Sequence, residues 1–233
     1  GIATMPHLQV LEMGNCGITD MSSFAKFPLH SLRILHLPGN EITKLEGVSH
    51  LEQLRELVID KNKVKMFDEK SFEGLKSLRE LRAEDNGLKS LANLYPLPRL
   101  RALYLSLNRI AELAELDRLR SLKHILVIHL SQNSVARKPL YRSQLISAVS
   151  TVRAIDGREV TDDERERVEQ MLIVNDQNKQ VYVFNEPAPP NVQLSYVVPS
   201  VASIVGSAAA AAAESSAKAA AASEPRRQAE EAG

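Results

Sequence analysis

The sequence predicts an α/β solenoid, in which successive coils stack into an arc with a parallel β-sheet on the concave side. Three observations predict this fold class. One leucine-containing pattern recurs through residues 1–135, the segments between its copies space apolar residues by three, and the stretch after the last copy has the features of a helical cap. Each coil alone leaves an apolar side uncovered, so the coils gain stability only by stacking.

The recurring pattern is L-x-x-L-x-L-x-x-N-x-L, with other aliphatic residues at some Leu positions and Cys once in place of Asn. It starts at six positions separated by 22 to 25 residues: Leu8, Leu32, Leu54, Leu78, Leu100 and Ile125. This period predicts six leucine-rich repeats within residues 1–135, after a partial unit that contains Ile2 and Met5. Because the chain starts inside a repeat, we expect it to be a segment of a longer polypeptide or to be covered at that end by a partner.

Each repeat is expected to supply one short strand. Its alternating leucines point into the solenoid, because strand side chains alternate between the two faces. The Asn amide is expected to bond backbone groups of neighbouring coils at the turn after the strand. Cys16 takes the place of this Asn in the first repeat, and we expect a small buried residue there rather than a reactive thiol.

The connections on the convex side predict short 3₁₀ or α turns. In the fifth repeat, leucines recur every third residue, which is the period of a 3₁₀ helix: Leu113, Leu116, Leu119 and Leu122. The longer repeats carry their extra residues on this side. We expect four phenylalanines there to fill the convex layer: Phe24, Phe27, Phe67 and Phe72.

Residues 136–172 predict a C-terminal cap over the apolar end of the last coil. Four aliphatic residues have the spacing of one helix face: Leu140, Leu145, Ile146 and Val149. Gly157 after Asp156 indicates a turn. Thr161 and Glu164 form a capping box, which predicts a polar helix that runs to about Met171. We predict that residues 173–207 form an extended arm that lies on another surface. Residues 208–233 are predicted to form an Ala-rich low-complexity tail.

The 22-residue rhythm is similar to that of the SDS22-like class of leucine-rich repeat proteins, and residues 133–169 resemble the C-terminal cap of that class. Tyr141, Arg142, Asp156 and Gly157 match motif positions of that cap. The resemblance implies a protein that binds other proteins. Caps of this class occur in phosphatase-regulating, spliceosomal, tubulin-chaperone and axonemal proteins. From the resemblance we expect a cytoplasmic protein of a cytoskeletal assembly, the axoneme of a cilium or flagellum.

Composition and motifs give no support to an enzyme. Lys plus Arg and Asp plus Glu both total 29, so net charge does not favour nucleic acid or a membrane surface. The sequence contains no motif for phosphate cradling, zinc proteolysis or serine hydrolysis. His36 and His129 are expected on the concave face about 19 Å apart, too far to share a metal ion. We therefore predict no catalysis and no cofactor, nucleic acid or membrane partner.

The concave face is the predicted protein-binding site, because side chains between the buried leucines point outward there. Its residues mix aliphatic, aromatic and charged groups: Val10, Glu12, Ile34, His36, Val58, Asp60, Arg82, Glu84, Tyr104, Val127 and His129. A column of arginines follows one margin: Arg33, Arg55, Arg79 and Arg101. This column is either a solvated edge paired with glutamates such as Glu56 and Glu80, or a basic strip that attracts an acidic partner.

Three functions remain open at this stage. The first is a scaffold in a ciliary or other cytoskeletal complex, which would bind through the concave face and the arm. The second is an SDS22-type regulatory subunit that binds a protein phosphatase. The third is a spliceosomal-type assembly factor, which predicts a nuclear location and salt-sensitive association with RNA.

Overall fold

The computed structural model describes residues 5–177 of the 233-residue chain, and side chains as far as Met171. Eight strands form one open, curved sheet in chain order. They are β1 (Val10–Glu12), β2 (Ile34–His36), β3 (Glu56–Val58), β4 (Glu80–Arg82), β5 (Ala102–Tyr104), β6 (Val127–His129), β7 (Ala154–Ile155) and β8 (Arg158–Glu159). Strands β1 to β7 are parallel, and β8 pairs with β7 in the antiparallel sense. The predicted solenoid with a parallel sheet is confirmed.

The strand register follows directly from the repeat. The second aliphatic position of each repeat lies opposite its counterpart on the next strand, and the series is Leu11, Leu35, Leu57, Leu81, Leu103 and Ile128. From Leu35 onward these side chains have no solvent exposure, whereas Leu11 at the sheet edge is only partly buried. Stacked aliphatic side chains therefore form a continuous core that runs through all the coils.

The predicted Asn ladder is present at the turn after the strands. The Asn62 amide nitrogen donates to the carbonyls of Leu37 and Ile59, each at 3.0 Å, and its oxygen accepts from the Ile42 amide at 3.0 Å. Asn40, Asn108 and Asn133 bond their neighbours in the same way. Each side chain thus satisfies buried backbone groups of two coils, which would otherwise lack partners.

The prediction that Cys16 is buried was wrong. Cys16 is exposed, and its thiol lies 3.3 Å from the carbonyl oxygen of Gly14 in its own turn. It belongs to the coil of the edge strand β1, and no described coil covers the outer side of that strand. The Cys16 amide nevertheless donates to the side chain of Asn40 at 3.0 Å, so the ladder begins one coil later than predicted.

The convex side is built from turns and 3₁₀ segments, as the spacing by three predicts. Two of these segments lie within the repeats, at Ser22–Lys26 and Leu113–Ser121. Phe24, Phe67 and Phe72 are buried and Phe27 is partly buried, which confirms their place in this layer. The rings of Phe67 and Phe72 pack with centroids 4.7 Å apart.

The cap consists of a 3₁₀ segment (Ser134–Arg137), helix α1 (Tyr141–Ala148), the β7–β8 hairpin and helix α2 (Asp162–Gln177). Leu145, Ile146 and Val149 are buried as predicted. Leu140 is not: it precedes α1 with a φ of 69° and is 44% exposed, so its side chain misses the helix face that the spacing assigned to it. Helix α2 starts at the capping box, where the Glu164 amide donates to Thr161 Oγ1 at 3.2 Å.

Helix α2 continues past the predicted end near Met171 to Gln177, into the segment assigned to the arm. The rest of the predicted arm and the whole Ala-rich tail lie outside the described residues, as does Ile2 of the partial first unit. Within residues 5–177, no helix combines the length and apolar character that a membrane crossing needs.

Candidate protein-binding face

The sheet aligns the predicted concave residues in columns across the strands. One column runs Glu12, His36, Val58, Arg82, Tyr104 and His129, and a second runs Val10, Ile34, Glu56, Glu80, Ala102 and Val127. Successive members lie on adjacent strands, about 4.8 Å apart. The strands therefore bring the predicted site residues onto one continuous surface.

Arg82 lies at the centre of this surface and is held from several sides. Its guanidinium group lies 3.3 Å from Asp60 Oδ2 and 3.3 Å from Glu84 Oε2, and Glu80 is at the limit of pairing at 4.0 Å. Its Cζ atom lies 4.7 Å from the centroid of the Tyr104 ring, a cation–π distance. Arg82 is thus held in place by contacts within the chain itself.

An aromatic stack extends from Arg82 toward the cap. The rings of Tyr104 and His129 have centroids 4.9 Å apart and are inclined by 31°. Both side chains are half-buried, so the stack is partly exposed to solvent. Arg and Tyr in a partly desolvated, fixed arrangement are the residue types that contribute most to protein interfaces.

The carboxylates around this cluster change its electrostatics. Burial raises the pKa of Glu80, and the neighbouring Glu56 carboxylate raises it further against the opposing attraction of Arg82. Partial burial opposes the charge of Arg82, but Asp60, Glu84 and Glu80 together still raise its pKa. Burial raises the pKa of Tyr104, and the Glu80 and Glu84 carboxylates raise it further against the opposing effect of Arg82, so its hydroxyl stays protonated at neutral pH.

The other half of the face is organised by His36. Its Nε2 lies 2.8 Å from Glu56 Oε1, and its Nδ1 lies 3.6 Å from Glu12 Oε1. Val58, which lies between His36 and Arg82 in the same column, is only 8% exposed. It was predicted as an open contact residue, and the structure shows instead that its neighbours largely cover it.

The column of arginines is aligned as predicted, but it lacks the predicted glutamate pairs. Among residues 5–171, Arg33, Arg55, Arg79 and Arg101 form no salt bridge, whereas Glu56 pairs with His36 and Glu80 lies 4.0 Å from Arg82. Arg55, Arg79 and Arg101 are exposed, and Arg33 is half-buried. The column is therefore a solvated edge, as one interpretation predicted, but without the predicted pairing to glutamates among these residues. We refer to these four residues as the basic strip.

Family comparisons agree with this geometry. Residues 96–182 match a leucine-rich repeat family model, and residues 30–88 and 52–110 match a second leucine-rich repeat model. The chain belongs to the leucine-rich repeat proteins. The two models together span the repeats from the second onward and the cap.

Curated relatives include the U2 small nuclear ribonucleoprotein A' of Homo sapiens, 32% identical over 133 residues, which cover 57% of this chain and 44% of the relative. Another is the geranylgeranyl transferase type-2 subunit alpha of Mus musculus, 31% identical over 137 residues, which cover 58% of this chain and 24% of the relative. The chain thus matches less than half the length of each of these relatives.

Solved structures show the same fold. The Drosophila melanogaster SNF/U2A' complex matches with a TM-score of 0.53 and 21% identity, covering 60% of this chain and 83% of the matched chain. An internalin from Listeria monocytogenes matches with a TM-score of 0.50 and 24% identity, covering 61% of this chain and 39% of the matched chain. At these identities the likeness concerns the repeat architecture alone.

The cap residues of this leucine-rich repeat protein have structural roles. The Tyr141 hydroxyl donates to Asp156 Oδ2 at 2.7 Å, and Asp156 Oδ1 accepts from the Leu130 amide at 2.7 Å. Burial and the Asp156 carboxylate raise the pKa of Tyr141 well above its usual range, which keeps this donor protonated. Asp156 and Gly157 take positive φ angles of 52° and 76° at the hairpin turn, the conformation that the Asp-Gly pair favours.

Arg142 joins the two cap helices. Its Nε and Nη2 atoms lie 2.6 and 2.8 Å from the two carboxylate oxygens of Glu164, and Nη2 also donates to the Glu159 carbonyl at 2.8 Å. Hydrogen bonding to Arg142 lowers the pKa of Glu164 against a smaller, opposing effect of burial. The sequence indicated the matching motif but not this bidentate pair, because residues 22 positions apart give no local signal.

Glu56 and Glu80 belong to the same face, although the list of expected contact residues did not include them. Their only signal was the register, because they occupy the column that Val10 and Ile34 begin. Within residues 5–177, no group of at least three His, Cys, Asp or Glu side chains is arranged to hold a metal ion.

Proposed function

We propose that this protein is a non-catalytic scaffold that binds a partner protein on its concave face. The observation that carries the proposal is the Arg82–Tyr104–His129 cluster, which is half-exposed at the middle of the sheet and already fixed by Asp60 and Glu84. A prearranged cluster loses little side-chain entropy on binding, so more of the contact energy appears as affinity.

A matched pair of variants of the full 233-residue chain tests this proposal. Tyr104→Ala with His129→Ala removes the open stack, and Tyr95→Ala removes a tyrosine that is 62% exposed away from the strands. Tagged forms are expressed in native cells, and co-purifying proteins are quantified and crosslinked. We expect the first variant to lose partners that the second retains.

Circular dichroism verifies that both variants remain folded. If the folded Tyr104→Ala, His129→Ala protein retains the full partner set, and crosslinks fall on the convex side or the cap, the concave-face proposal fails.

The proposed setting is a cytoskeletal assembly, the axoneme of a cilium or flagellum, with the protein in the cytoplasm. Its support is the resemblance of the 22-residue rhythm and cap to the SDS22-like class. Fluorescence imaging of the tagged chain in ciliated cells tests it: signal along the cilium is the expected result, and signal confined to the nucleus contradicts it.

A second candidate is a spliceosomal-type assembly factor. The 32% identity to the U2 small nuclear ribonucleoprotein A' over 133 residues favours it, since that protein is by its name part of a ribonucleoprotein. This candidate predicts nuclear signal in the same imaging experiment and co-purification of small nuclear RNA. An SDS22-type phosphatase subunit, the remaining alternative from the resemblance, predicts instead that the purified chain binds a phosphatase catalytic subunit.

A further inference from the structure

The basic strip is an aligned column of charge rather than a set of separate arginines. The backbone amide of Arg55 donates to the carbonyl of Arg33, that of Arg79 to Arg55, and that of Arg101 to Arg79, each at 2.8 Å. This ladder holds the four Cα atoms on adjacent strands about 4.8 Å apart. Side chains that start from such a column present a row of like charges along one margin of the sheet.

The margin around the strip is more basic than the chain as a whole. We consider the three residues before each arginine of the strip and the three before Leu126, the counterpart of these arginines in the sixth repeat. Their charged side chains are Lys76, Arg99, Lys123 and Glu52. Glu52 is the sole carboxylate among them and lies 3.7 Å from Lys76. Since the whole chain carries equal numbers of Lys plus Arg and Asp plus Glu, positive charge is concentrated at this edge. Stacked arginines without carboxylate partners repel one another, and an acidic partner would relieve that repulsion.

Two carboxylates lie beside the centre of the strip, in a column whose other members are aliphatic. Glu56 and Glu80 face each other across β3 and β4, next in sequence to Arg55 and Arg79. A nucleic-acid strand carries phosphate along its length, so it would meet repulsion from these carboxylates while it contacted the arginines. The surface therefore favours a partner with acidic groups on one side and basic groups on the adjoining side.

We propose that the basic strip binds an acidic amphipathic helix of a partner protein, laid across the strands of the sheet. One helical turn advances about 5.4 Å, close to the strand spacing of about 4.8 Å, so one carboxylate per turn can meet one arginine per repeat. An adjoining row of lysines on that helix would face Glu56 and Glu80. This inference rests on the proposed scaffold function and specifies the chemistry of its partner.

A synthetic probe tests the pattern directly. A stapled helix of about 18 residues carries Glu at positions i, i+4, i+7 and i+11 and Lys immediately after each Glu. Its binding to the full chain is measured by fluorescence anisotropy, alongside a scrambled helix of the same composition and a single-stranded RNA. We expect the patterned helix to bind at least about tenfold more tightly than both comparators and to weaken as salt is added.

The variant Arg55→Gln with Arg79→Gln removes the centre of the strip. Its matched control is Lys65→Gln with Lys89→Gln, two exposed lysines on adjacent coils past the other end of the strands, where the Lys89 amide bonds the Lys65 carbonyl. Both changes remove two positive charges from exposed sites. We expect the arginine variant to weaken binding of the patterned helix by about tenfold or more and the lysine variant to leave it nearly unchanged.

Three results would overturn the inference: equal binding of the scrambled helix, equal loss in both variants, or tighter binding of the RNA that depends on the strip. Co-purification of native partners with the two variants distinguishes failure of this inference from failure of the scaffold function. If Tyr104→Ala with His129→Ala loses the partners while Arg55→Gln with Arg79→Gln keeps them, the scaffold function stands and the strip has another role. If neither change affects the partners, the scaffold function fails as well.

Discussion

Arg82 shows how a single residue on a repeat surface acquires a fixed geometry. Its position in the repeat is equivalent to Val58 and Tyr104, so periodicity alone gives it no special role. Its order comes from side chains on both neighbouring coils and on its own: Asp60, Tyr104 and Glu84. Such a network spans coils, and removing one member leaves the other charges without their partner.

Glu80 carries the residue-scale prediction. The pKa of Glu80 is higher in the folded chain than its unfolded value of 4.5. Protonated Glu80 therefore stabilises the fold fully at a pH below 4.5, and this stabilisation is lost as the pH rises through the pKa of the folded chain. At pH 7 the carboxylate is therefore a cost. At pH 7, Glu80→Gln should unfold at a higher urea concentration than the wild type, with a free energy of unfolding that is larger by less than about 1 kcal/mol. This difference should vanish near pH 4.

The exposed Glu69→Gln serves as the control and should show no such pH-dependent gain. If Glu80→Gln is less stable than the wild type at pH 7, then attraction to Arg82 outweighs burial and repulsion by Glu56, and the assigned sign is wrong.

At the scale of elements, the cap depends on a few polar contacts as well as on apolar packing. Helix α1 buries Leu145 and Ile146 and packs mainly against the 3₁₀ segment Leu113–Ser121, and α2 contributes the buried Val168. Asp156 bonds both Tyr141 and the backbone of Leu130, so the hairpin turn is tied to α1 and to the end of β6. The arrangement of α2 relies on Arg142, whose guanidinium group bridges Glu164 and the hairpin carbonyls.

Arg142→Gln is the prediction at this scale. It removes the bidentate pair with Glu164 and the bond to the Glu159 carbonyl. We expect a loss of about 1–3 kcal/mol in local stability, measured as faster hydrogen exchange of α2 amides with little change in β3 to β5. Arg167→Gln, at an exposed position of the same helix, is the control. Uniform acceleration across the whole sheet would contradict a local role.

Sequence alone predicted the sheet and its columns because the repeat period dictates register: once Leu35 lies opposite Leu57, the positions of His36 and Val58 follow. It failed where the answer depends on what surrounds a residue. Cys16 fits the template but lacks a covering coil, and Leu140 has helical spacing but adopts a left-handed backbone. Helix α2 extends past its predicted end near Met171 to Gln177, because no helix-breaking Gly or Pro lies between these two residues.

At the scale of the whole repeat body, stability is expected to vary along the stack. Among residues 5–177, coils in the middle are covered on both sides, and the β1 coil is covered on one. In a repeat body of this kind, each coil contacts only its neighbours, so each interface between coils contributes separately to the free energy of unfolding. Mutations of equivalent leucines should therefore differ in cost according to position.

Leu103→Ala and Leu11→Ala test this expectation, since the two residues occupy the same position of the repeat. Leu103 is fully buried between β4 and β6, whereas Leu11 is partly exposed. We expect Leu103→Ala to reduce the free energy of unfolding by about 2–5 kcal/mol and Leu11→Ala by clearly less, in equilibrium urea denaturation. Equal losses would show that the first coil is as well packed as the central ones.

The antiparallel strand β8 has a consequence for how this chain can evolve. It is two residues long, charged and reversed in direction, so the hairpin offers no parallel edge on which a further coil could stack. Tandem duplication could lengthen the stack between β1 and β6, where each new coil would meet two compatible neighbours. Duplicated coils added after the hairpin would find no template, so gains and losses of repeats should be confined to its upstream side.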